Sequence, residues 1–249
     1  MPAPSTPTTA LPDGWCDVVG RGRMGGALAT ALRDAGVAVR GPLGRGASAD
    51  GAAIVLLCVP ERELAAAAAA IVRGPVVGHV SASADIELLA PHERFVMHPL
   101  LSVAGPGSSF AGATSAIDGS STRARAIATA LAHRLGMRPR VIDPGQRALY
   151  HASASAASNF LITVEGLAEA LAARAGLDRE ALAPLVRGTV ENWVRLGARQ
   201  ALTGPIARGD DATATRQRDA VAGAAPDLLP LWDALALGTH ALAVTEPVA

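Results

Sequence analysis

His151, Ser155 and Asn159 follow one another at i, i+4 and i+8 in a segment otherwise rich in Ala, Leu and Phe. On an α-helix that spacing sets an imidazole, a hydroxyl and an amide on a single face. Unpartnered polar groups in a core are unfavourable. They must therefore either bond to one another and to neighbouring elements, or line a crevice where a ligand supplies the partner. His151 can move a proton near neutrality, and Asn159 suits a carbonyl or carboxylate oxygen. With Ser155 they form the expected catalytic set.

A second constellation lies near the N-terminus. Val18 and Val19 run into Gly20-x-Gly22-x-x-Gly25, and helix formers follow from Ala27 to Leu32. A strand, a tight glycine turn and a helix start are the context in which GxGxxG cradles a dinucleotide. Gly20 allows the turn, Gly22 allows the backbone to approach a pyrophosphate, and Gly25 allows the helix to pack on the strand. Arg23 and Met24 belong to the same loop. Val59 and Pro60, at the end of the apolar run 53–59, should open onto the same crevice. The alternative reading is a βα turn that needs glycine only for close packing.

The segment after the second strand carries no acid before Asp50. An acid there would bond the ribose hydroxyl of NAD, whereas an Arg suits the 2′-phosphate of NADP. Arg45 is the first choice and Arg40 the second, against the alternative of solvated loop arginines. His79 and His98 close two strands on the crevice side, as ligand contacts or as satisfied structural residues. His92, His133 and His240 read as surface or helix-face residues. In the loop 203–210, Arg208 could hold a substrate carboxylate with Asp210 orienting it, or Asp210 could cap the next helix. Tyr150, about 100° around the helix from His151, joins His98 and Arg208 as a substrate contact. Nothing has metal-ligand spacing, and Cys16 and Cys58 read as small buried hydrophobes in a reducing compartment.

The elements that must position these residues alternate. Strands are expected at 16–19, 37–39, 53–59, 76–80, 94–97, 113–117 and 138–142, with helices at 27–32, 63–72 and 122–135. That pattern predicts an α/β, doubly wound, mostly parallel sheet. From Pro144 the character changes to an all-α half: a nearly unbroken helix over 146–175, another from Asp178 to Leu196, then helices near 211–223 and 227–243. The expected domains are a disordered tail (1–13), a nucleotide-binding domain (14–144) and a smaller helical domain for substrate and dimerisation (145–249). Residues 1–12 lack the basic and apolar regions of a signal peptide.

The chain has 249 residues, half of them hydrophobic, and a formal net charge of zero. That balance gives no electrostatic footprint for nucleic acid or a membrane surface, and no apolar run reaches the length of a membrane span. A cytoplasmic protein is expected, with a small-molecule substrate. Leu167, Leu171 and Trp193 on apolar helix faces suggest a homodimer built beyond residue 145. All 22 basic residues are Arg; there is no Lys.

The segments GRGRMGG (20–26), LLCVPE (56–61), GHVSAS (78–83), MHPL (97–100), ALYHASASAASNF (148–160) and ALTGPIARGD (201–210) resemble a bacterial family of Rossmann-like proteins with a C-terminal helical domain of unknown function. It sits in the superfamily of 6-phosphogluconate dehydrogenase, pyrroline-5-carboxylate reductase and ketopantoate reductase. The resemblance departs at Leu101, where the family usually has a polar residue, and at Ala82, where it usually has Gly. It implies an NADP-binding oxidoreductase that reduces a small carbonyl compound, such as a 2-keto acid of the ketopantoate type, or an imine. Related reductases take the proton from a Lys of the helical half. That route is closed here, which leaves His151 as the expected donor. The competing expectation is a non-catalytic NADP-binding sensor.

Overall fold

A computed structural model describes residues 11–244, and within it the chain forms two compact units that divide at Ser158 and Asn159. The expected tail at 1–13 lies mostly outside the described residues; Leu11 packs against the core of the first unit.

The first unit is a seven-stranded sheet in the order β2-β1-β3-β4-β5-β6-β7. The strands are β1 (Cys16–Val19), β2 (Val39–Leu43), β3 (Ile54–Leu57), β4 (Val76–His79), β5 (Arg94–Pro99), β6 (Thr114–Gly119) and β7 (Arg138–Val141). Pairing is parallel throughout except between β5 and β6, where His98 faces Ala116 across an antiparallel ladder. Helices α1 (Arg23–Asp34), α2 (Leu64–Ala70) and α3 (Thr122–Arg134) supply the crossovers and cover the sheet. The α/β, doubly wound reading therefore holds.

The uninterrupted apolar strands are what two covered faces require. Val18, Leu28, Leu32, Leu56, Phe95, Met97 and Leu131 are fully buried between α1, α3 and one sheet face. Val55, Leu57, Leu64, Val77 and Leu89 fill the other side under α2. Each such aliphatic or aromatic side chain adds about 1.5–3 kcal/mol of burial energy, enough to compensate for a core with few aromatics.

The second strand begins two residues later than expected and runs through Arg40-Gly41-Pro42-Leu43, which the sequence presents as loop. Pairing with β1 overrides the poor strand propensity of Gly and Pro.

Helix α4 (Arg147–Ser155) closes the first unit, and a π-helical turn follows at Ala156–Phe160 before α5 (Leu161–Arg174). The unbroken α-helix expected over 146–175 is thus interrupted. The second unit continues with α6 (Arg179–Leu196), capped by Asp178, the short α7 (Ala198–Ala201), α8 (Asp211–Ala224) and α9 (Leu229–Val244). Among its described residues only Leu167, Val221 and Ala225 are buried hydrophobics. No helix of the described residues is long and apolar enough to cross a membrane.

Candidate functional site

The glycine loop has the shape its spacing implies. Gly20 sits at φ +123°, and a Cβ there would lie 2.2 Å from the Cys58 carbonyl oxygen. At Gly25 a Cβ would lie 1.9 Å from the Gly20 carbonyl oxygen, so α1 packs on the turn through bare backbone. Gly22 is different: a Cβ would meet nothing within 4 Å, leaving open space in front of the first turn of α1. Gly22 caps α1 without a side-chain bond. The first amide N–H groups thus point into that space, an arrangement suited to phosphate. Arg23 is exposed there, Met24 packs against the core and Gly25 is buried.

A cavity of about 410 Å³ adjoins the loop, and Gly20, Gly22, Arg45, Val59 and Pro60 line it as expected. Two charged lining residues escape sequence reasoning. Arg21 lays its guanidinium over Gly44, 3.5 Å from where a Cβ would stand. Glu63 reaches in from the turn after β3 and pairs with Arg45 at 2.9 Å. The signals available were an Arg between two glycines and an acid in the first turn of a crossover.

Arg40, the second choice, already has protein partners. Its guanidinium forks onto Asp17 at 2.7 and 2.6 Å, donates to the Asp50 carbonyl and stacks over Trp15. Asp17, in the middle of β1, is fully buried and demands a cation.

At the other strand ends a polar cluster forms. His79 is fully buried at the end of β4; its Nδ1 accepts from the Ser81 N–H at 3.1 Å, so the neutral ring carries its proton on Nε2. That Nε2 finds no partner among the described residues. Burial, reinforced by Arg147, pushes the His79 pKa down to about 4. The Glu61 carboxylate accepts from Ser81 Oγ at 3.2 Å and Ser83 Oγ at 2.8 Å, tying the turn after β3 to the turn after β4.

His98, at the end of β5, shares a 2.8 Å hydrogen bond between its Nδ1 and the Tyr150 hydroxyl of α4. The two rings meet edge to face, 5.6 Å apart at 89°. Burial and the nearby His151 hold His98 down to about pKa 4, and burial lifts the Tyr150 phenol to about 12. Arg147, one turn before Tyr150, pairs with Asp118 of β6. His98, Tyr150 and Arg147 line a cavity of about 10 Å³, the room of one water.

His151 is exposed and Ser155 half-buried on α4, while Asn159 lies exposed in the π-helical turn, with its carbonyl accepting from Thr163 Oγ at 3.0 Å. The common face presumed an α-helical period and ends at Ser155, because a π turn spaces its bonds five residues apart. Asn159 opens the second unit. In that unit Asp210 caps α8 by accepting from the Thr213 N–H at 3.0 Å, as one of its two readings expected. That bond holds its carboxyl below the usual range. Arg208 is exposed. His92 is another correction. It is buried, with Nε2 bonding the Ala68 carbonyl at 3.0 Å, because α2 packs over its turn. Cys16 and Cys58 are buried free thiols as expected, and no metal-binding cluster occurs among the described residues.

Solved structures share this architecture over nearly the whole chain. A candidate NADP oxidoreductase from Bacteroides fragilis aligns at 22% identity and TM-score 0.79, covering 92% of this chain and 98% of its own. A protein from Thermotoga maritima aligns at 20% identity and TM-score 0.80, covering 92% and 100%. Pyrroline carboxylate reductase from Plasmodium falciparum, solved with NADP bound, aligns at 12% identity and TM-score 0.60, covering 94% and 100%. At these identities the likeness is one of fold. No curated protein matches the chain. Residues 113–239, just over half of the sequence, match a domain of unknown function, and the protein belongs to that family, DUF2520.

Proposed function

We propose that this protein is an NADPH-dependent reductase of a small carbonyl compound, a 2-keto acid of the ketopantoate type, or of an imine. The observation that carries the reading is the glycine cradle: two positions closed to any side chain, and between them Gly22 facing open space at a helix N-terminus. The adjoining cavity offers Arg45 and Arg21 to a 2′-phosphate. The NADP-linked names of structural neighbours support the same cofactor. When bound, the dinucleotide would supply a hydride to the substrate carbon.

The chain's own residues bind and protonate. His98, Tyr150 and His151 form the protonating group beside the strand ends, with Ser155 next to them. The buried free thiols agree with work in the reducing cytoplasm. The helical unit, whose Ile162, Leu185, Trp193, Val194 and Leu237 are all more than half exposed, serves as a homodimer interface.

The test is a fluorescence titration with NADPH and NADH, followed by NADPH oxidation across a panel of 2-keto acids, aldehydes and imines. Tight NADPH binding with turnover of one panel member is the expected result. Failure to bind either nucleotide refutes the reading, and binding without turnover would turn it into a cofactor sensor.

A further inference from the structure

We infer that Tyr150, held by His98, is the group that hands the proton to the substrate, and that His151 serves only to resupply it. The inference rests on the reductase reading above.

Geometry selects Tyr150. The 2.8 Å bond to His98 and the edge-to-face stacking fix its ring against the end of β5, whereas His151 is exposed. Arg147, paired with Asp118, packs into the same small cavity and anchors the first turn of α4 against β6. Ala82, in the turn after β4, lines that cavity too, so the phenol stands beside that turn.

The protonation states fit a relay in which His98 stays neutral. Burial keeps His98 neutral at pH 7 and Tyr150 protonated. With the proton of His98 on Nδ1, the ring donates to the Tyr150 oxygen and leaves the phenol O–H free for the substrate. As the hydride arrives at carbon, the C=O or C=N π electrons move onto the heteroatom. The Tyr150 O–H breaks and its proton bonds to that heteroatom. The phenolate takes the Nδ1 proton of His98 as Nε2 takes one from water, directly or by way of His151. Nε2 then releases its proton to solvent as Nδ1 takes one up, so that net uptake is one solvent proton per hydride and both residues return to their starting states. A developing alkoxide is far more basic than a phenolate, so even a raised phenol is a competent acid here. The charges that bear on the pair are Arg147 with its partner Asp118, and His151.

Tyr150 is the only tyrosine of the chain, so the ultraviolet absorbance of tyrosinate reports on it alone. In the full-length protein, Tyr150→Phe should keep its NADPH affinity and lose roughly 10²–10⁴-fold in turnover. His151→Ala should lose less and recover with added imidazole. His98→Leu should raise the pH at which Tyr150 ionises and slow turnover, because the phenolate loses its donor. His98→Asn, which keeps an N–H donor, should restore part of both.

If Tyr150→Phe turns over at the wild-type rate, or if His98→Leu changes neither the titration nor turnover, the inference is overturned while the reductase reading stands. Loss of all turnover in His151→Ala without imidazole rescue also overturns it, in favour of His151 as the donor. Should Tyr150→Phe fail to fold, the paired His98 variants decide. A wild type that oxidises NADPH with no panel substrate overturns the reductase reading first, and this inference with it.

Discussion

Arg40 forks its Nε and one Nη onto the carboxylate of Asp17, at 2.7 and 2.6 Å, across the β1–β2 register. The pair assigns the two arginines that follow the second strand to different work. Asp17 is wholly enclosed, and removing its cation leaves an uncompensated buried charge. Arg40→Ala should therefore lower the midpoint of thermal unfolding by several degrees and leave the preference for NADPH over NADH unchanged. Differential scanning calorimetry and nucleotide titration on one preparation check both halves.

Arg45→Ala should do the reverse. Loss of a charge-assisted contact to phosphate weakens NADPH binding roughly ten- to hundredfold, with NADH binding and thermal stability close to wild type. Glu63→Gln, which frees Arg45 from its ion pair, should tighten NADPH. An Arg45→Ala variant with unaltered NADPH affinity would move the 2′-phosphate to Arg21 alone.

The glycine loop separates folding from binding by a single methyl group. Gly22→Ala adds a Cβ into open space at an ordinary backbone angle, so the protein should fold normally yet lose dinucleotide affinity. Gly25→Ala drives a Cβ to 1.9 Å from the Gly20 carbonyl oxygen and should destabilise the unit itself. Circular dichroism alongside nucleotide titration distinguishes the two.

Acid should loosen the protein at a pH set by its buried imidazoles. His79 has a pKa near 4 when folded, against about 6.5 in an unfolded chain. Arg147 and His98 push it down while Glu61 and Asp85 push the other way. Between those values the unfolded chain binds the proton that the folded chain refuses. Stability is therefore complete above about pH 6.5 and falls as pH drops toward 4, by up to about 3 kcal/mol for this residue. Urea melts across that range should show the slope, and His79→Asn, which can still accept from the Ser81 N–H, should flatten it.

The helical unit should associate. Its α9 has no buried residue among the described ones despite an almost wholly apolar sequence, a surface that water does not favour. Light scattering at micromolar concentration should give twice the monomer mass, and Trp193→Glu with Leu237→Glu should return it to one.

Much of this was legible because it depends on local patterning. The apolar runs of β1 and β3, the glycine spacing and a helix start at Asp178 each follow from a few neighbouring residues. What escaped depends on pairing across the chain. β2 extends through Gly41 and Pro42 because β1 is there to pair with, and β6 runs antiparallel because its partner is β5, which no local signal announces. The ion pair of Arg40 is with Asp17, 23 residues away, and the hydrogen bond of Tyr150 is with His98, 52 residues away. The π-helical turn breaks a face whose periodicity had looked regular, since Ala and Ser carry no signal for an extra residue in a turn.

Cys58 lies beneath the glycine turn, and burial pushes its thiol up to about 12, while Cys16 is raised further. Thiolate is the form that reacts with alkylating agents and peroxides, so neither sulfur is open to them while the sheet is closed. Alkylation of the native protein can then proceed only through opening of the nucleotide-binding core. Its rate, followed in the presence and absence of NADPH, measures how far the bound cofactor suppresses that opening, with no added label.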